Sequence, residues 1–187
     1  GSLKALPFVK NYHFVQAPYH RSWELSANVS ANKNRGQALT TPKNRLTRYN
    51  RRIANPSRAA LALMYLDHYI GGDILTRTVK SIPKGSLSNA VLKKELSRKT
   101  DKPLDWFFDH YIHLDNNVDL KLQGKKINAE ISRIHINSTN SKVAIPIKKI
   151  LTNGTQQTAW ILSNDLPYEQ DYKNAEISSL TINKNHY

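Results

Sequence analysis

Cysteine is absent from the 187-residue chain. Disulfides and thiolate chemistry are thereby excluded, while compartment stays open, because reducing and oxidising locations both tolerate a cysteine-free protein. Long apolar runs are missing too. Nothing approaches the roughly 18–20 residues that a membrane-spanning helix needs, and the first residues carry no apolar secretory core. Internal repeats and low-complexity segments are not found. Acids are scarce: 14 Asp and Glu stand against 28 Lys and Arg, for a net charge of +14. What remains is globular in character, with 39% hydrophobic and 9% aromatic residues over a length that suits one large domain or two small ones.

The positive charge is uneven. Residues 1–66 hold eleven Lys/Arg and a single acid, Glu24, for a net +10. Residues 67–116 hold eight bases and seven acids, and residues 117–187 hold nine and six. Between Glu24 and Asp67 there are eight bases and no acid, with Lys43, Arg45, Arg48, Arg51 and Arg52 as the densest run. Such a stretch suits nucleic acid, an anionic surface or an acidic partner, and it equally suits acids on a segment outside this chain. The aromatic interleaving that single-strand binding wants is thin, since Tyr49 is the only aromatic between Trp23 and Tyr65.

Periodicity divides the chain in two. Residues 3–35 are irregular at first, then helical around Tyr19, Trp23 and Leu25, and residues 36–55 carry turn chemistry. Asn55 suits an N-cap and Pro56 a first helical position, where the missing N–H costs nothing. From there a nearly all-apolar run, Ala59 to Ile70, predicts a helix buried on almost every side and stopped by Gly71-Gly72. Two amphipathic helices are expected next, one over Leu87–Lys99 and one opening at Pro103 with Trp106, Phe107, Phe108, Tyr111 and Ile112. After His113 the pattern alternates. Strands are expected over Val118–Leu122, Ile127–Ile131, Ile134–Ile136, Val143–Ile150, Ala159–Leu162 and Ile177–Ile182. Turn clusters at Asn137–Ser141, Asn153-Gly154 and Asn164-Asp165 separate them, a spacing that suggests a small antiparallel sandwich.

Catalytic constellations are few. No H-E-x-x-H is present; the nearest metal-like spacing is Asp109-His110-x-x-His113, with Asp115 beyond. The aromatics around those histidines supply a buried face and the polar residues a wet one, which is the favoured reading. Asp67-His68 ends the apolar helix, where a His suits capping or packing. No G-x-S-x-G elbow and no glycine-rich phosphate loop occur, and Gly71-Gly72 follows a helix instead of opening one. Asp105 and Asp109 stand one helical turn apart, as ordinary compensation of a helix dipole.

Residues 59–72, Ala-Ala-Leu-Ala-Leu-Met-Tyr-Leu-Asp-His-Tyr-Ile-Gly-Gly, resemble the segment of family M1 (gluzincin) zinc aminopeptidases in which an apolar helix ends in a Tyr-Leu-acid run and a glycine. Leu92–Thr100 followed by Asp101–Ile112 is similar to the Trp-Phe-Phe helices of that family. Pro18-Tyr19-His20 and Gly36–Pro42 resemble the corresponding stretch of bacterial M1-like proteins, and Ile145-Pro146-Ile147 and Ala159-Trp160-Ile161 their closing β-sandwich.

The resemblance implies a zinc site, built by H-E-x-x-H and a more distant Glu, on helices upstream of this region and absent from this chain. Zinc is therefore expected only in an intact, active parent. The family's oxyanion-stabilising Tyr lies two residues before a Lys at the head of the apolar helix. Arg58 takes that Lys position and is the candidate substrate-binding residue; Pro56, with no hydroxyl, takes the Tyr position. By their own chemistry, Pro56 reads as a helix start and Arg58 as an exposed first-turn residue.

The expected protein is α+β: a helical, M1-like bundle over residues 1–115, then a β-sandwich over residues 116–187. It is expected to be a non-catalytic, substrate-framing portion of a peptidase or pseudo-peptidase, with no catalytic or metal-binding residue of its own. Its expected partners are the upstream peptidase domain and peptide, and the resemblance implies an exported, periplasmic location. The alternative is a basic binding module for nucleic acid or another polyanion.

Overall fold

The computed structural model describes residues 23–25, 29, 35–114, 120–138, 143–162 and 166–182. Helices come first and antiparallel strands follow, so the α+β class holds. Trp23–Leu25 are helical, as expected; Pro18-Tyr19-His20, Asp115, Val118 and Asn164-Asp165 lie outside the described residues.

The apolar helix begins earlier than its sequence predicts. Residues 48–70 run on without a break, about 34 Å at 1.5 Å per residue. The run starts at Arg48, passes through a π-helical turn at Asn50–Ala54 and continues as α1, Asn55–Ile70. Asn55 is not an N-cap: Ala54 before it and Asn55 itself have helical dihedrals. Thr47 takes that role, its Oγ1 accepting the Asn50 N–H at 3.3 Å. A proline inside a helix lacks an N–H and its ring collides with the carbonyl four residues back. Here the wide turn lies directly upstream, with the Asn55 N–H reaching back five residues to the Asn50 carbonyl. The extra residue moves the carbonyls away from the Pro56 ring, and the helix passes through. At the far end Gly71 takes φ 80° and returns its N–H to the Asp67 carbonyl at 2.8 Å, the expected stop. The Lys102 ammonium closes that end by donating to the carbonyls of Tyr69 and Ile70, where a cation also opposes the helix dipole.

A short helix follows that the sequence does not announce: α2, Ile74–Ser81, which buries only Leu75 and Thr78. The expected amphipathic helix is α3, Asn89–Ser97, with the Ser88 Oγ accepting the Val91 N–H at 3.2 Å. The helix expected from Pro103 is replaced by a π turn, Trp106–His110, and a 3₁₀ turn, Tyr111–His113. The wide turn suits its sequence, because Trp106, Phe107 and Phe108 are consecutive and all buried. A regular α-helix turns about 100° per residue and would swing one of them toward water.

Among the described residues, six strands form two three-stranded antiparallel sheets. The first has the order β1-β2-β5, from Leu120–Lys126, Ile131–Ser138 and Tyr168–Lys173. The second has the order β4-β3-β6, from Gln156–Ile161, Ile145–Leu151 and Ile177–Ile182. Two expectations change here. Residues 127–130 are the β1–β2 turn and not a strand, with Ile131 opening β2, because the Asn128 Oδ1 accepts the N–H groups of Glu130 at 2.9 Å and Ile131 at 2.7 Å. That local bond diverts the backbone from the ladder. Strand β5, Tyr-Glu-Gln-Asp-Tyr-Lys, is polar on alternate positions and was not expected at all.

One apolar cluster joins the helices to the strands. It contains Leu66 and Tyr69 of α1, Leu92 and Leu96 of α3, Trp106 and Phe107, and Ile136, Ile145, Ile147 and Ile161 of the sheets. Tyr65 of α1 donates its hydroxyl to the Ala144 carbonyl beside β3. Tyr69 meets Trp106 at 5.2 Å and Trp160 at 5.0 Å between ring centroids, both edge-on, an arrangement that adds to simple burial. The change of secondary structure near residue 115 is real, but the core crosses it.

Candidate docking surface on the long helix

The inner side of the 48–70 helix belongs to the core: Leu61, Ala62, Tyr65, Leu66, Tyr69 and Ile70 are buried. Its outer side is also apolar, contrary to the expectation of a helix buried nearly all round. Ile53 is 45% exposed, Leu63 42% and Met64 45%. Pro56 is exposed between them and Ala60 is half-buried. The spacing 53, 56, 60, 63/64 is that of one helical face. A folded chain gains nothing from holding such a stripe in water, and a contiguous stripe is the usual mark of a contact surface.

The five bases of the densest run lie at the amino-terminal end of this face. Lys43 and Arg45 are on the preceding turn, and Arg48, Arg51 and Arg52 are on the first helical turns; all five are exposed. Among the described residues none of the five has an acidic partner. Their placement does not help the helix. The π turn has no acid in its first turn, cations at a helix amino terminus oppose the dipole, and Arg48 and Arg52 are like charges four apart.

A polar network holds this end in place. Gln37 is its hub: the Oε1 accepts the Thr47 N–H at 2.9 Å and the Asn50 Nδ2–H at 2.8 Å, and the Nε2 donates to the Arg45 carbonyl at 3.1 Å. The Asn50 side chain is buried and also donates to the Arg35 carbonyl at 2.8 Å. Arg58 is half-buried and not the exposed first-turn residue expected of it. Its Nη1 donates to the Gln37 carbonyl at 2.6 Å and its Nη2 to the Leu114 carbonyl at 2.9 Å, tying the 35–47 loop to the end of the helical region. The same guanidinium faces Tyr111, whose hydroxyl burial pushes up to about 12 although the cation pulls it down. As the candidate substrate residue, Arg58 thus has both terminal nitrogens on backbone carbonyls.

The other sequence candidates are spread apart. His110 and His113 sit on successive turns of different type, and the His113 Nδ1 is 3.1 Å from the Thr40 Oγ1. Asp105 and Asp109 share one cation: the Lys93 Nζ lies 2.8 Å from a carboxylate oxygen of each. That ion pair joins α3 to the aromatic turn and gives both acids a structural role beyond dipole compensation. The His68 ring packs 5.7 Å from Trp160. Among the described residues no group of three or more His, Asp or Glu gathers where a metal ion could sit. No described helix is long and apolar enough to cross a membrane.

Compared with protein-family models, with curated proteins and with solved structures, the chain matches none. The arrangement offers a two-part surface: an apolar stripe on the 48–70 helix, and a cluster of cations on its first turns and on the turn before it. Sequence reading found the cations and missed Ile53, Leu63 and Met64. The signal was there, since a helix apolar on every side has more apolar surface than one core can cover.

Proposed function

We propose that this chain is the non-catalytic C-terminal portion of an M1-like zinc metallopeptidase or pseudo-peptidase, supporting the zinc-binding domain and framing the substrate cleft. Residues 1–115 then correspond to the end of the family's helical bundle, and the two sheets to its closing β-sandwich. The observation that carries the reading is the exposed apolar face at Ile53, Leu63 and Met64, a surface that suits a neighbouring domain of the same protein. The Pro56 position supports a framing role over a chemical one, because no side chain there can hydrogen-bond a tetrahedral oxyanion.

Zinc content and aminopeptidase turnover of the purified chain, measured with added zinc, test the non-catalytic part of this proposal. The expected result is no stoichiometric metal and no turnover. About one zinc per chain, with turnover lost in His110→Ala, overturns it. The alternative function, a basic module for nucleic acid or another polyanion, is favoured by one observation, the five exposed cations that have no acidic partner among the described residues. It requires a duplex DNA or heparin affinity that falls steeply with salt.

A further inference from the structure

We propose that the outer face of the 48–70 helix docks an acidic, amphipathic polypeptide element, its apolar side against Ile53, Leu63 and Met64 and its carboxylates against Lys43, Arg45, Arg48, Arg51 and Arg52. Resting on the functional reading above, this names the chemistry of the surface that the neighbouring domain presents.

Charge complementarity decides the occupant. Five exposed cations within ten residues, with no acid set against them among the described residues, leave a positive field that the fold does not use. The field stands at one end of an apolar stripe, and the two are continuous, since Ile53 follows Arg52 directly and lies one turn from Pro56. A phosphate backbone or an anionic headgroup would satisfy the cations but gain nothing from Leu63 and Met64 further along the helix. A second copy of this chain would bring the same cations to the contact and repel. A polypeptide with carboxylates at one end and apolar side chains at the other satisfies both parts.

The Gln37–Thr47–Asn50 bonds and the Arg58 clamp fix the turn that carries Lys43 and Arg45 against the helix that carries Arg48, Arg51 and Arg52. A backbone held by such a frame needs no further ordering on binding, so the cost that remains is that of the long side chains alone. The Gln37 Nε2 bond to the Arg45 carbonyl fixes the backbone while leaving the guanidinium in solvent.

The experiment uses the full chain and three fluorescent probes: a short helical peptide with Glu at one end and a Leu face, poly-glutamate, and a DNA duplex. Anisotropy titrations compare the parent with R48E/R51E/R52E, its neutral counterpart R48Q/R51Q/R52Q, and L63S/M64S. All substituted side chains are exposed, and circular dichroism verifies folding. The amphipathic peptide is expected to bind tightest. Charge reversal is expected to weaken it by more than about tenfold, neutralisation and L63S/M64S by less. Raising salt from about 0.05 M to about 0.2 M should weaken the parent and hardly affect the reversed variant. Tighter binding of the duplex than of the peptide overturns the proposal in favour of nucleic acid. Equal binding of poly-glutamate and peptide, or no loss in either charge or apolar variants, also overturns it. Peptide binding is read without any upstream domain, so it can fail or hold independently of the M1-like reading.

Discussion

Two regions of this protein are rich in cations and treat them in opposite ways. On the outer face of the β1-β2-β5 sheet, Arg133 stands across from Asp171 in register and holds it with two bonds, Nε to Oδ1 at 2.7 Å and Nη2 to Oδ2 at 2.9 Å. His135 stands across from Glu169, its Nδ1 3.0 Å from the Oε1. The charges answer one another within the sheet, and the Arg133 bond holds the Asp171 carboxyl below the usual carboxylate range. On the 48–70 helix the cations are as dense, yet the described residues offer them no acid. The first set is explained by cross-strand pairing. The second set stands where helix physics disfavours it and has no acid among the described residues, the gap that the proposed partner would fill.

Substitutions can break or sharpen this contrast. Leu66 lies on the inner face of α1 and is 0% exposed, so Leu66→Ala should cost about 3 kcal/mol in urea unfolding, whereas Leu63→Ala three residues earlier should cost less than about 0.5 kcal/mol. Arg58→Ala removes two charge-assisted bonds to carbonyls and should cost about 2 kcal/mol, with faster exchange of amides in the 35–47 loop. Asn50→Ala strips the loop of its buried donor and should cost about 1–2 kcal/mol. Smaller again is the pH effect of the sheet ladder. Asp171 has a lowered folded-state pKa, so its contribution is fully present above the unfolded carboxylate value, about 3.9, and fades as pH falls through the lowered one. Asp171→Asn should therefore flatten stability against pH only on the acid side, a small change because the pair is exposed. Least of all, R48Q/R51Q/R52Q should leave the unfolding midpoint unchanged or slightly raised, since it removes like-charge neighbours and an unfavourable dipole contact.

Sequence legibility followed the strength of local signals. The Gly71 stop, the α3 helix and the Ile177–Ile182 strand were readable because each rests on local sequence pattern. Strand β5 was not, because its polar alternation pays off only when Arg133 and His135 stand opposite Asp171 and Glu169 on β2. The early helix start was hidden by Pro56, which normally marks a beginning; only a π turn, itself invisible to periodicity, lets a helix run through it. The docking face was half legible. The run of bases stood out by charge alone, but the exposure of Leu63 and Met64 could not be told from burial in a helix apolar on every side.

The central claim is that the outer face of the 48–70 helix serves a partner and not the fold. Its most direct test is sedimentation velocity of this chain mixed with a helical peptide carrying Glu at one end and a Leu face, fused to a carrier domain. The account predicts a one-to-one complex that dissociates when salt is raised and is lost in a variant combining R48Q/R51Q/R52Q with L63S/M64S, while that variant unfolds at the parent's midpoint. No complex with the parent chain, or a complex that the combined variant leaves intact, would contradict it.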